Sequence, residues 1–283
     1  MSHPFEVTGI DFAGPVMLKR RRNYHKSYFV LFTCAVTRAV HLELCEDMSA
    51  IKFLQAFRRF TARRGICQTI YSDNALTFKK VAREIRDIQR ILTDPLVQDY
   101  SSPLRKTLSR NVVDFIEMQT MLAEVEAMMN SRPITFVYNK NSEPTPLTPA
   151  TMIMERRVLA PPSTESTTSR NTIHDPSSTE IRETWRRQQH YVNAVWNRRQ
   201  QEYLSELRSA YHSKGTHDCD VRTGDVVLVK EPNCHRLQWK TALVDKVFTG
   251  SDIRVRVCLI RTPGRTTLRR PVQHVYKLES QEK

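Results

Sequence analysis

Between residues 5 and 18 the stretch "FEVTGIDFAGPVML" alternates apolar and small positions and then meets Gly14-Pro15, which predicts a strand reaching a turn. "KRRRNYHK" reads as a polar, basic connection, and "SYFVLFTCAV" is a continuous apolar run of the kind that marks a strand buried on both faces. "AVHLELC" alternates again and predicts a third strand, half exposed. Three strands joined by short turns imply an antiparallel meander. The period then changes. "SAIKFLQAFRRFTARRG" places Ile51, Leu54, Phe57 and Phe60 on one helical face, with Ser49 as N-cap and Gly65 as stop. "CQTIYSDN" predicts a fourth strand ending at Asp73, and "FKKVAREIRDIQRIL" a second helix with Val81, Ile85, Ile88 and Leu92 on its apolar side.

Further along, "FIEMQTMLAEVEAMMNSRP" predicts a helix running into Asn130 and stopping before Pro133. Residues 155–180 are rich in Ser, Thr and Pro and cannot bury enough apolar surface to order themselves alone, so they read as a linker. Beyond it lies a long helix whose stripe is Ile181, Trp185, Val192, Trp196, Tyr203, Leu207 and Tyr211. Spacing of this kind marks core contacts before it marks a stacking platform. Four short β-patterned runs, beginning at "VRTGDVVLVKE" and ending at "TTLRRPVQHVYKL", predict a small barrel. The organisation is therefore a mixed α/β domain over 1–154, the linker over 155–180, and a helix plus small β-barrel over 181–283.

Charge adds a partner to this picture. The 283 residues carry a net charge of +14 and a pI near 9.7, which points to a polyanion, nucleic acid before anionic membrane. Six scattered cysteines without a CxxC pair argue against structural zinc and fit a reducing compartment. His41, His190 and His274 show no ligand spacing. The opening residues contain no apolar segment long enough for a signal or a membrane span, so a soluble, intracellular chain is expected.

Two acids stand in unusual company. Asp11 sits between Ile10 and Phe12, and Asp73 ends "TIYSD"; an acid inside an apolar strand is costly unless something pairs with it. Asp-Asn is also a common turn former, so Asp73 alone reads either as a turn residue or as half of a metal site. In a β-β-β-α-β order the first and fourth strands lie side by side, which would bring the two carboxylates together. Converging carboxylates suit a shared hard cation, Mg²⁺ or Mn²⁺, and paired metals can clamp both oxygens of a phosphodiester displacement.

The motifs "TGIDFAGP", "FVLFTCAVTRAVHLEL", "RRFTARRG" and "IYSDN" resemble the integrase core of BEL/Pao-type long-terminal-repeat retrotransposons. "LAEVEAMMNSRPITF", "EPTPLTPA", "GDVVLVKE" and "RRPVQHVYKL" resemble the segments that come after that core. The resemblance implies a ribonuclease H-like fold of the retroviral integrase kind. It implies that Asp11 and Asp73 are the first two members of an Asp-Asp-Glu triad binding Mg²⁺ or Mn²⁺. It implies retroelement and target DNA as partners, self-association, a nuclear location, and an inherited chemistry of 3'-end processing and strand transfer. The C-terminal barrel would bind DNA, with Lys230, Lys240, Arg254, Arg256, Arg269 and Arg270 on phosphates. The clusters "KRRR" at 19–22 and "RRFTARR" at 58–64 are solvated surface taken singly, while their sum favours phosphate contact over base readout.

One part of the family pattern is missing. Its Gly-Gly-aromatic-Trp-Glu stretch supplies the third carboxylate, yet no glycine occurs between Gly65 and Gly215 and every tryptophan lies at or beyond Trp185. A segment is absent near position 102, and with it the fifth strand, which would leave the Asp73 strand as an uncovered edge and residues 1–150 poorly soluble alone. Glu117 and Glu84 are poor substitutes, reading as solvent-facing helix residues, and Ala75 stands where the family has glycine. The chain is therefore expected to bind DNA without joining it. The alternatives are an enzyme whose third ligand comes from elsewhere and a non-catalytic, chromatin-associated protein.

Overall fold

The computed structural model describes residues 3–20, 23–72, 91–92, 113–138, 144–154, 176–212, 221–231, 236–250 and 255–278. The chain divides into two compact units, Met1–Asn130 with Pro161–Asn197, and Ser131–Ala160 with Arg198–Lys283.

In the first unit β1 (Val7–Arg20), β2 (Asn23–Cys34) and β3 (Val40–Cys45) form the expected antiparallel meander. Helix α1 (Ala50–Arg64) leads to β4 (Thr69–Ser72), which pairs parallel with β1. Two short strands, β5 (Ile91–Leu92) and β6 (Val113–Asp114), pair parallel with β4 and β1, and α2 (Phe115–Asn130) comes next. The strand order is β3-β2-β1-β4-β5. The first and fourth strands lie side by side, as the β-β-β-α-β order predicts.

Several local expectations are corrected. β1 does not stop at Gly14-Pro15: it passes through a bulge between Ala13 and Val16, where Gly14 has a φ of 132° that a side chain would resist. "NYHK" belongs to β2 instead of a connection, since Tyr24 to Lys26 pair with Lys19 to Met17. Leu92 lies in a strand rather than on a helix face; Val81, Ile85 and Ile88 fall outside the described residues. Ile91 and Leu92 pair with Ile70 and Tyr71, so the middle of β4 has a neighbour on the side predicted to be bare, and the edge of the sheet passes to β5.

Helix α1 is capped as its sequence predicts: the Ser49 side chain accepts from the Lys52 N–H, and Gly65 ends the helix at φ 91° with its N–H on Thr61. Its buried face is Phe53, Ala56, Phe57 and Phe60, whereas Ile51 is 71% exposed. Phe60 stacks on Phe32 of β2 at 4.1 Å, and Phe53 meets Phe12 of β1 at 5.9 Å. Phe53 replaces Ile51 because the helix turns its aromatic stripe, not its first apolar residue, onto the sheet.

All six residues of β3 are buried, contrary to the half-exposed expectation. Its outward backbone groups are taken up by side chains. The Asn130 amide accepts from the Val40 N–H and donates to the Val40 carbonyl, both at 2.8 Å. Glu126 accepts from the Leu42 N–H at 2.9 Å, and Arg59 donates to the Leu44 carbonyl at 3.1 Å. The polar positions of the alternation, His41 and Glu43, lie beneath α1. Glu43 receives Arg59 at 2.6 Å, Arg63 at 2.9 Å and His41 at 3.0 Å; His41 also meets Glu126, which Arg64 holds in turn.

Burial lowers the proton affinity of His41, but its hydrogen bonds to Glu126 and Glu43 outweigh that and raise its pKa. Burial pushes Glu43 and Glu126 the other way, and their hydrogen bonds to His41, helped by Arg59 and Arg64, bring both below the usual range.

In the second unit β7 (Thr135–Tyr138) and β8 (Pro144–Leu147) form a hairpin leading to α3 (Pro149–Met154). Helix α4 (Pro176–His212) begins inside the expected linker and contributes residues to both units; 155–175 lie outside the described residues. Its buried positions include Val192, Val195, Trp196, Tyr203 and Leu204. The last five strands are β9 (Val226–Val229), β10 (Lys240–Thr249), β11 (Val255–Arg261), β12 (Thr267–Pro271) and β13 (Val275–Lys277). They form an open sheet in the order β12-β11-β10-β9-β13, and among the described residues no pairing closes it into the predicted barrel. Tyr203 and Leu204 of α4 pack on Val226, Leu228 and Tyr276 on one face, while Val227, Val229, Ala242, Val244, Cys258 and Ile260 form a separate cluster.

Two outcomes are expected. Asn130→Ala strands the buried N–H and C=O of Val40 and lowers stability by about 2 kcal/mol or more in urea denaturation of the full chain. The raised His41 pKa stabilises the fold most below about 6.5 and less as pH rises through its folded value, whereas the lowered Glu43 and Glu126 values stabilise it above about 4.5 and less as pH falls. Melting temperature measured against pH should therefore peak between those limits, and His41→Phe should remove the loss on the alkaline side.

Candidate metal centre and nucleic-acid surface

Asp11 lies in the middle of β1. Its neighbour Phe12 packs on Phe53 of α1, so strand alternation turns Asp11 to the opposite face of the sheet, where it is half-buried. On one side it faces Leu31 of β2. On the other, the parallel ladder runs from Val7 beside Thr69 to Ile10 beside Ser72. In sequence Ile10 is followed by Asp11 and Ser72 by Asp73. Asp73, Ala75 and Glu84 lie outside the described residues. Carboxylate oxygens are the donors that Mg²⁺ and Mn²⁺ prefer. Among the described residues no group of three or more His, Cys, Asp and Glu side chains is placed to hold a metal ion.

Glu117 has other work. Asp114 and Glu117 cap α2 reciprocally: the Glu117 N–H donates to Asp114 at 2.7 Å and the Asp114 N–H to Glu117 at 3.1 Å. The other Glu117 oxygen takes the Arg187 guanidinium. Its side chain is only 14% exposed, not solvent-facing as its sequence position suggests.

The six predicted phosphate contacts do not share one face. Strand alternation puts Arg269 on the face of β12 away from Cys258 and Ile260, while Arg256 and Arg270 lie on the face of those core residues, at its rim. Lys240 pairs with Glu231, and Arg270 approaches the same carboxylate at 3.8 Å. Lys230 is half-buried at the end of β9, its N–H on His274. Arg254 lies outside the described residues.

Sequence reading missed two members of the Arg269 face. Lys246 and Phe248 join it because a bulge between Val244 and Lys246 switches the outward positions of β10. The Arg269 guanidinium sits 4.5 Å from the Phe248 ring centre and the Lys246 ammonium 5.6 Å from it. Arg261 also faces outward, held by Asp245. The alternation "DKVF" was a signal for this face, but the bulge that sets its phase has none.

Elsewhere, His41 is buried in its ion-pair cluster, while His190 and His274 are exposed. Cys34, Cys45, Cys67 and Cys258 are buried free thiols; burial pushes Cys45 up to about 12 and Cys67 up to about 11, which leaves both protonated and unreactive. Among the described residues no helix is long and apolar enough to cross a membrane.

A model described as a family of unknown function (DUF5641) matches residues 183–278, the greater part of α4 and the open sheet. No curated protein matches the chain. Among solved structures, a chain of the simian T-cell lymphotropic virus intasome in complex with a PP2A regulatory subunit is similar at 11% identity and a TM-score of 0.35, over 100% of this chain and 84% of that one. The HTLV-2 integrase catalytic core domain in complex with magnesium (trimeric form) is similar at 14% identity and a TM-score of 0.36, over 53% of this chain and 97% of that one. At those scores the fold reading rests on the strand order, not on the neighbours.

Glu231 competes with any phosphate for Lys240 and Arg270. An exposed ion pair is worth about 0.2–1 kcal/mol, so Glu231→Gln should raise affinity for a duplex by up to about five-fold in fluorescence anisotropy.

Proposed function

We propose that this chain derives from the integrase of a BEL/Pao-type retrotransposon and acts as a nuclear, DNA-binding protein that does not join DNA ends on its own. The observation that carries the proposal is the β3-β2-β1-β4-β5 order with its ladder running up to Ile10 and Ser72, immediately before the two acids that the family uses for metal. Asp11 and Asp73 would hold a divalent cation; when bound, that ion supplies Lewis-acid stabilisation of phosphoryl oxygens. A clamp of two metals needs the further carboxylate that the missing segment would carry, and Glu117 is committed to the cap of α2 and to Arg187.

DNA binding survives the loss of that carboxylate because it depends on charge. The net charge of +14 supplies the attraction. Lys246 and Arg269, on the outward face of the second unit's sheet, are the side chains best disposed to meet a phosphate backbone. Lys230, Lys240, Arg256 and Arg270 add rim contacts, and self-association would multiply them.

The test is binding of a short duplex at several salt concentrations. Affinity should fall with salt, Lys246→Ala with Arg269→Ala should reduce the log-log slope by about 1.8, and Asp11→Asn should change nothing. Strand-transfer assays with Mn²⁺ should give no product. Metal-dependent joined DNA that disappears in Asp73→Asn would overturn the proposal.

A further inference from the structure

Lys19 and Arg20, the described part of the basic cluster at 19–22, belong to a two-stranded ribbon that the chemistry above leaves unused. Beyond the Gly14 bulge, Met17 pairs with Lys26, Leu18 with His25, Lys19 with Tyr24 and Arg20 with Asn23. The ribbon has two unlike faces. Val16, Leu18 and Ser27 are buried, Leu18 beside Val113 of β6. Met17, Lys19, Tyr24 and Lys26 share the other face by strand alternation, and all four are exposed, Tyr24 by 53% and Met17 by 37%. Lys19 and Lys26 occupy one diagonal of this face, about 7–8 Å apart, with Tyr24 and Met17 on the other. The sequence contains no acid between Asp11 and Glu43, so the ribbon carries no carboxylate of its own; Asp114 of β6 lies beside Lys19, with its Oδ1 accepting from the Glu117 N–H, and Lys26 has no ladder partner that is an acid.

We infer that this face is a binding platform for unpaired nucleotides, with Tyr24 stacking on a base and Lys19 and Lys26 on the flanking phosphates. Phosphate contact alone requires no exposed aromatic ring beside the lysines. A base inside a duplex has both faces covered by its neighbours, whereas an unpaired base offers one to a tyrosine, and aromatic side chains in a basic track are how sequence-tolerant single-strand binding is built. The bulge makes the platform possible: its extra residue turns Met17 and Lys19 onto the face opposite Asp11. The inference shares with the proposed function only the class of partner, nucleic acid, and uses different residues in the other unit.

The experiment measures full-length protein against a fluorescein-labelled oligothymidylate and, separately, a blunt duplex. Tyr24→Ala should weaken the single strand at least about five-fold while leaving the duplex within two-fold, and Tyr24→Phe should restore binding. Lys19→Ala with Lys26→Ala should lower the single-strand salt slope by about 1.4. Equal loss on both probes, or no loss on either, overturns the platform, as does a Tyr24→Ala effect on sedimentation instead of on binding, which would make the face a self-association surface. A platform failure with duplex binding still sensitive to Arg269→Ala leaves the proposed function standing. Tyr24-dependent single-strand binding without duplex affinity does the reverse. Circular dichroism melting of each variant confirms that an exposed substitution has left the fold intact.

Discussion

The outward edge of β3 is where this fold is held closed. An edge strand presents unpaired amides and carbonyls that either find partners or recruit another chain. Here no further strand is used. Asn130 satisfies both groups of Val40, Glu126 takes the Leu42 N–H, and Arg59 takes the Leu44 carbonyl. The same contacts fix α1 and α2 against the meander, because Glu126 and Asn130 come from one helix and Arg59 from the other. The position of the central strand is set in consequence: β2 is held between β3 and β1, and β1 carries Asp11. A structural seal at one edge thus sets the place of the candidate metal ligand two strands away.

The seal works only because it is ionic as well as polar. Glu43 and His41 are each 2% exposed, a costly placement for any group that is not paired. Three arginines of α1 converge on the cluster, Arg59 and Arg63 on Glu43 and Arg64 on Glu126. Part of the basic run "RRFTARR" is consequently internal bracing and cannot all be offered to DNA. The β1–β2 ribbon has no acid of its own, and the acids that reach its margin, Glu46 at Arg20 and Asp114 beside Lys19, come from other segments. In a chain with an overall excess of positive charge, the location of the acids decides which cations are free to bind a polyanion.

Bulges do for the two sheets what the charges do for the surface. The one at Gly14 and the one between Val244 and Lys246 each add a residue and invert the facing of the rest of the strand. Without the first, Met17 and Lys19 would share the face of Asp11. Without the second, Lys246 and Phe248 would point with Val244 into the core. Both exposed cation–aromatic faces therefore depend on an irregularity, not on the regular part of a strand.

Much of the architecture was legible because it is encoded within a few residues. Two alternating runs and a continuous apolar one marked the meander, Ser49 and Gly65 bounded α1, and the apolar stripe delimited α2 as far as Asn130. The two acids stood out as misfits in apolar strands. What remained hidden depends on residues far apart in the chain. The amide of Asn130 meets Val40 across 90 positions, and that pairing, with Glu126 and the arginines, buries a strand whose own alternation reads as half exposed. Leu92 carries a helical period but pairs with Tyr71 in the sheet, since a neighbouring strand outweighs local preference. The sequence by itself determined the opening meander, α1 with its caps, the extent of α2 and the positions of Asp11 and the basic clusters along the chain. Only the tertiary structure decided which of those charges are enclosed, which face each strand shows after a bulge, and that the last sheet stays open with α4 covering it, because each is set by contacts between segments that no local pattern contains.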